Sequence, residues 1–415
     1  MVVAEKVILD PDNPEESQKL SYVEPVLVNL PSYAGYINVS EKYGAHLFFW
    51  FFKSESSAAD APLIVWLQGQ QGLSCLTGLF EEHGPIYVDL KTYKIKKRKQ
   101  AWTKQYNVLY LDPTTFCGFS YSLSNYPKLS SLDEIGIRIR YALQQFLLVF
   151  PEMQKHPMYL TGEFDSGKYI TLVAKENLAD ENPQTRLNIH GLMIGGGFTF
   201  DFENPNYDDT FHEYGLLDSC ERDHMAQNIR LIGSYVRGND TESALTAIGS
   251  VITKKLYDRG FETFLDARYT NPLKFSLASI ISSKSSFRKM VHVGDQPFQN
   301  EMRFLTANTL LRSTSQYLPD VLKHYKLLLY NGQFDLLAPY AHTEEFLAKL
   351  EWDACTDFYE TKRKMWMVHG HFLGYWTSAG NVTHVLVRNA GHMVGRTQPE
   401  ALFQLLDQFV NDKFK

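Results

Sequence analysis

Short, almost unbroken apolar runs alternate along this chain with stretches whose apolar residues recur every three or four positions. The runs His46–Phe52, Leu63–Leu67, Val108–Leu111, Met158–Leu160, Leu192–Ile194, Lys326–Tyr330 and His384–Val387 predict buried strands, because a strand covered on both faces has no polar side. Two helix starts are marked between them. Ser131 with Glu134 reads as a capping box ahead of a helix reaching about Phe150, and Thr397 with Glu400 as a second, with Pro399 in its first turn. In that last helix Leu402, Leu405, Leu406, Phe409 and Val410 share one face and mark core. The alternation predicts an α/β fold with a mainly parallel central sheet and helices on both faces. The rhythm fails between about residues 200 and 291, where polar helical patterns such as Asp218–Val236 take over. That stretch predicts a helical insertion, a cap over the carboxyl ends of the strands, inside a single domain spanning 1–415.

Composition narrows the partners. With 44% hydrophobic residues in 415, the chain can bury a large core. Its formal net charge of −6 gives no reason to expect a nucleic-acid partner. The run Lys94, Lys96, Lys97, Arg98, Lys99 is a local exception and reads as a solvated hairpin or loop rather than an anion site. No apolar run approaches the ~18 residues that cross a bilayer, so no membrane span is predicted. Residues 1–16 are acidic and lack the apolar core of a signal peptide; a mature form, a truncated sequence and a cytosolic protein all fit.

Four cysteines are too few to declare a disulfide framework. Cys75 and Cys117 are expected in loops bordering one pocket, bridged or as buried thiols, and the pairing of Cys220 and Cys355 is open. Sequons begin at Asn38, Asn239 and Asn381, candidate glycosylation sites compatible with secretion. His369 and His371 lack an accompanying cysteine or carboxylate pattern and read as loop or surface histidines, so no metal or cofactor is predicted.

Chemistry concentrates at three places. The turn Gly162-Glu163-Phe164-Asp165-Ser166-Gly167 is entered by a strand and left by a helix, a geometry that lifts its middle residue above the sheet. Asp335 follows the strand Lys326–Tyr330, and His392 follows the strand His384–Val387. A turn of this kind, then Asp, then His is the chain order of the α/β-hydrolases.

Several long motifs in the same order carry a resemblance. They include Leu79-Phe80-Glu81-Glu82-His83-Gly84-Pro85-Ile86, Asn107-Val108-Leu109-Tyr110-Leu111-Asp112, Gly118-Phe119-Ser120-Tyr121-Ser122, Tyr330-Asn331-Gly332-Gln333 and Val387-Arg388-Asn389-Ala390-Gly391-His392-Met393-Val394. From about Leu20 to the C-terminus the chain resembles the serine carboxypeptidases, peptidase family S10, and in particular their vitellogenic carboxypeptidase-like branch. The resemblance implies an α/β-hydrolase fold and a triad completed by Asp335 and His392. It also implies a clamp for the substrate's terminal carboxylate at Gln68, Glu82 and Glu163, and a secreted, lysosomal or vesicular setting.

The departures fall on the chemistry. The family's turn reads Gly-Glu-Ser-Tyr-Ala-Gly-Lys-Tyr, and its serine is Phe164 here; a phenyl ring cannot attack a carbonyl. In the oxyanion loop, formed by Gly69 and Gln70 with Asp165 following the apex, the family's second glycine is Gln70, and Gln71 follows it. The usual proline after His392 is Gly395. Ser166, roughly 200° further round the helix axis, is expected to point away from His392, and Cys75 is a poorer substitute nucleophile still. The sequence therefore predicts a catalytically inactive relative that binds peptide C-termini or an unidentified protein. An active carboxypeptidase with a relocated nucleophile and a secreted structural or storage protein are the alternatives. Gln68, Glu82 and Glu163 can equally be structural remnants, and Asp335 with His392 a satisfied pair without a task.

Overall fold

The computed structural model describes residues 5–25, 30–56, 58–69, 72–89, 91–92, 94–123, 131–197, 205–270, 284–300 and 311–414. Among the described residues its frame is a 12-stranded sheet. In chain order the strands are β1 (Tyr22–Val23), β2 (Ser32–Ser40), β3 (Ala45–Phe52), β4 (Leu63–Leu67), β5 (Asn107–Leu111), β6 (Tyr121–Ser122), β7 (Met158–Glu163), β8 (Ile189–Gly195), β9 (Lys326–Gly332), β10 (Lys364–Val368), β11 (His371–Ala379) and β12 (Val382–Val387). Across the sheet they run β1-β2-β3-β5-β4-β7-β8-β9-β12-β11-β10, with β6 beside β3. From β5 to β12 neighbouring strands are parallel, and the flanking pairs are antiparallel. All seven expected strands are present. This is the α/β-hydrolase architecture.

Alternation along the strands feeds two cores. Leu63, Val65 and Leu67 of β4 join one apolar cluster, against the helices Leu132–Val149 and Ser166–Ala179. Ile64 and Trp66 join the other, against the helix Pro399–Val410. Burial on both faces is why these strands read as continuous apolar runs.

Two expected caps form differently. The Ser131 hydroxyl accepts from the Asp133 N–H at 3.2 Å, while Glu134 turns to Arg138, so the reciprocal half of that box is missing. The last helix starts at Pro399 after Gln398, with no side-chain cap. Thr397 belongs to a preceding helical turn, Val394–Thr397, and its hydroxyl is spent on that turn's carbonyls.

Between β8 and β9 lie the helices Tyr207–Glu213, Ser219–Arg237, Thr241–Ile248 and Lys254–Asp258. The second carries a complete capping box, Asp218 with Glu221. These helices share an apolar cluster of their own, built on Phe211, Ile232 and Leu256, which reaches Leu336. Residues 198–204 and 271–283 of this stretch lie outside the described residues.

The basic run forms a solvated hairpin, Ile95–Lys97 against Ile86–Val88, with Lys96 paired to Asp89 and Lys97 to Glu55. All four cysteines are free thiols, Cys75 and Cys117 buried and Cys220 exposed. Among the described residues no helix is long and apolar enough to cross a membrane. His369 and His371 are exposed at the turn between β10 and β11. Of the sequons, Asn38 sits within β2, Asn381 donates its amide to the Leu322 carbonyl at 2.8 Å, and Asn239 is exposed in a turn with φ 57°.

Candidate active site

Three strand ends converge on one point. β7 ends at Glu163, and the chain turns through Phe164 into the helix that starts at Ser166. Phe164 stands at φ 54°, the left-handed region that a side chain with a Cβ seldom occupies. Its N–H donates to the Gly195 carbonyl at the end of β8, at 2.9 Å. The neighbouring loop presses in at Gly69, where a Cβ would lie 1.8 Å from the Glu163 carbonyl oxygen, so only glycine fits. Gln70 and Gln71 lie outside the described residues.

Asp335, beyond β9, accepts the N–H groups of Leu337 and Ala338 on Oδ1, at 2.8 and 2.9 Å. Its Oδ2 faces His392 Nδ1 at 2.8 Å, and both side chains are sealed from solvent. Burial acts to lower the His392 pKa. The charge and hydrogen bond of Asp335 outweigh it, so the imidazole sits above its ordinary value. Edge-on to His392, at 5.7 Å between ring centroids, is the Phe164 ring. Among the described residues no hydroxyl or thiol bonds to His392. Ser166 is fully buried and donates to the Glu163 carbonyl at 2.6 Å, facing away as expected. Cys75 lies elsewhere, its N–H given to Asp112 at 2.9 Å. Asp165 is buried and paired with Lys168 at 2.9 Å.

Beside this pair is a knot of carboxyls. Gln68 donates Nε2 to Glu163 at 2.6 Å, and its Oε1 accepts from Trp66 Nε1 and the Gly78 N–H, each at 3.2 Å. Glu82 and Glu163 are buried close enough that the charge of Glu163 works against ionisation of Glu82, which favours a proton on one of them. Burial raises the Glu82 pKa well above the carboxylate range, and the charge of Glu163 adds to it. Glu163 is raised by burial too, restrained by His392 and Gln68. Glu82 Oε1 finds no donor among the described residues.

The sequence brought Gln68, Glu82, Glu163, Asp335 and His392 to one place, and the structure brings them together: Gln68 bonds Glu163, Asp335 bonds His392, and Glu163 lies near both His392 and Glu82. It missed the ties behind Glu82. The Gly395 N–H donates to Glu82 Oε2 at 3.1 Å, and Arg396 pairs with Glu81 at 2.5 Å. Burial pushes Glu81 up to about 7 even against that arginine. The Glu81-Glu82 doublet and the glycine after His392 were the available signals, but only the folded contact links positions so far apart. The assembly can hold protons at His392 and on the Glu82 and Glu163 carboxyls.

A protein-family model described as serine carboxypeptidase matches residues 23–412. The vitellogenic carboxypeptidase of Aedes aegypti is 30% identical over 421 residues, covering 96% of this chain and 88% of that protein. The venom serine carboxypeptidase of Apis mellifera is 31% identical over 400 residues, covering 92% and 85%. Among solved structures, a prohormone-processing carboxypeptidase from Saccharomyces cerevisiae superposes with a TM-score of 0.80 at 20% identity, over 99% of this chain and 94% of that one.

Proposed function

The chain belongs to the serine carboxypeptidase family, and from that premise we propose that it is a non-catalytic member whose remaining site recognises rather than hydrolyses. The observation that carries the proposal is the Phe164 ring at the apex of the turn, edge-on to His392. The position a nucleophile would take holds a group with no lone pair to offer, and the buried hydroxyl of Ser166 is committed to a carbonyl. Without a nucleophile, Asp335 and His392 have nothing to activate.

The residual role is weak capture of a peptide C-terminus at Gln68, Glu82 and Glu163. A carboxyl can donate to an incoming carboxylate only while protonated, and the raised pKa values of Glu82 and Glu163 keep that proton into the acid range and beyond. Binding is therefore favoured by acid and falls as pH rises through those values. The helices between β8 and β9 act as the cap over this site. A secreted, lysosomal or vesicular setting accompanies this role, and Asn239 and Asn381 are exposed sequons, of which Asn381 already spends its amide on the Leu322 carbonyl.

The test is release of the C-terminal residue from a panel of blocked dipeptides between about pH 4 and pH 7, the range in which such carboxyls change charge. The native protein, Phe164→Ser and His392→Ala run side by side. The expected result is no release by the native protein. Release that disappears in His392→Ala would overturn the proposal, because a nucleophile elsewhere would then be using that histidine. Calorimetry at acid pH with free-carboxylate and amidated peptides tests the binding half: heat is expected only with the free carboxylate.

A further inference from the structure

The C-terminal end of the sheet departs from the charge of the rest of the molecule. Residues 361–399 contain Lys362, Arg363, Lys364, Arg388 and Arg396 and no Asp or Glu, in a chain of net charge −6. At the chain's average density a stretch of that length would hold about four acidic residues. Four of these cations lie on the terminal strands β10 to β12 and the residues flanking them, where the sheet ends: β10 is its outermost strand.

Apolar groups are exposed on the same edge. Along β10, Trp366 and Val368 are buried, while Met365 and Met367 are 67% and 48% exposed. Met365 is opposite Tyr375 of β11, and Met367 is opposite Phe372. Directly opposed residues share a face, so these four side chains form one apolar strip. The rings of Phe372 and Tyr375 touch, with centroids 5.1 Å apart. The cations rim the strip. The Arg363 guanidinium lies over Tyr375 and Tyr340, at 4.6 and 4.8 Å from their centroids, and the Arg388 guanidinium lies over Phe372 at 5.2 Å. Among the described residues no carboxylate pairs with Lys362, Arg363 or Arg388.

We infer that this edge docks on the surface of an anionic lipid bilayer. Exposed methionines and aromatic rings ringed by stacked arginines match an interface whose outer layer is phosphate and whose next layer is hydrocarbon: the side chains enter the boundary while the guanidinium groups stay at phosphate level. A soluble polyanion would satisfy the cations and leave Met365 and Met367 in water. A second copy of the chain packed on this edge through a two-fold axis would bring two positively charged edges together. Net charge opposes such docking and confines it to this edge. A protein of charge −6 is repelled by an anionic surface as a whole, so adhesion must come from a local patch.

The experiment is co-sedimentation of the full chain with vesicles. Binding to phosphatidylcholine containing about 30% phosphatidylserine is expected to exceed binding to phosphatidylcholine alone by about tenfold at low salt, and to fall when salt is raised to about 0.5 M. The double variant Arg363→Glu/Arg388→Glu should lose that tenfold difference. Met365→Gln/Met367→Gln, with every charge kept, should weaken binding several-fold, a loss that pure charge attraction would not show. Lys94→Glu/Lys99→Glu, on the other basic run, should bind like the native protein. Circular dichroism establishes that each variant is folded. The inference is overturned if the folded native protein ignores phosphatidylserine. It is equally overturned if the Lys94/Lys99 variant loses as much binding as the Arg363/Arg388 variant, or if an acidic peptide such as polyglutamate is bound while vesicles are not.

Discussion

Phe164 and His392 meet edge to face, ring centroids 5.7 Å apart and planes at 84°. The contact is made by a residue whose backbone resists its own position. At φ 54° a Cβ crowds the following carbonyl, at a penalty of roughly 1–2 kcal/mol. Glycine escapes that penalty but loses more chain entropy on folding, roughly 0.5–1 kcal/mol. Phe164→Gly should therefore be more stable than Phe164→Ala by up to about 1 kcal/mol, although both lose the same ring. Urea denaturation of the two variants checks this; an alanine variant as stable as the glycine one would mean that the turn relaxes once the ring is gone.

Asp335 should set the titration of His392. In Asp335→Asn the amide oxygen can still accept the N–H groups of Leu337 and Ala338, but the charge opposing burial is lost. The His392 pKa, above 6.5 in the native protein, should drop below it, as followed by NMR of the imidazole. The stability consequence has a definite sign. A histidine whose pKa is raised on folding contributes most below its unfolded value of 6.5, and that contribution is lost as pH rises through the folded value. The destabilisation caused by Asp335→Asn should thus be greatest in acid and shrink in alkali. A penalty that does not change with pH would place the role of Asp335 in its backbone contacts alone.

What was legible in the sequence follows the range of the interactions involved. The strands and the turn at Phe164 were visible because apolar runs and a strand–turn–helix pattern are local, and the helical stretch showed itself by breaking the rhythm. The Thr397 cap was misread because a hydroxyl at that spacing can serve the turn behind it as well as the helix ahead, and the turn Val394–Thr397 claimed it. The contact of Gly395 with Glu82 was invisible: it joins two short helical segments across 313 positions of chain, and its donor is a backbone N–H that carries no residue-type signature. Gln70 lies outside the described residues.

The thiols separate two histories that the sequence left open. Burial raises Cys75 and Cys117 well above the ordinary thiol range, and the charge of Asp112 adds to both. A buried thiol reacts slowly because its thiolate is scarce and inaccessible. A disulfide reagent applied to the native protein should label Cys220 at once and the half-buried Cys355 more slowly, leaving Cys75 and Cys117 protected. After denaturation without reductant all four should react. Recovery of only two would mean that Cys75 and Cys117 are bridged.

Glu82 links the carboxyl knot to the helical turn after His392, and both ends of that link can be tested. Its pKa is raised on folding, so its favourable contribution lies below the unfolded value of 4.5 and is lost as pH climbs towards the folded value, where the unfolded chain ionises first. Glutamine at this position cannot ionise, yet its carbonyl oxygen can still accept from the Gly395 N–H. Glu82→Gln should therefore gain stability relative to the native protein as pH rises above about 4.5, measured by thermal unfolding across pH. The other end is steric. A Cβ on residue 395 would lie 2.7 Å from Glu82 Cβ and 2.8 Å from Leu402 Cδ2, so Gly395→Ala should destabilise by about 1–3 kcal/mol through overpacking. Proline, the usual residue there in the resembling family, would add the loss of the N–H that Glu82 accepts, and Gly395→Pro should be less stable than Gly395→Ala. If proline were tolerated as well as glycine, the bond from Gly395 would contribute nothing to the fold, and Glu82 would be free to turn towards a ligand.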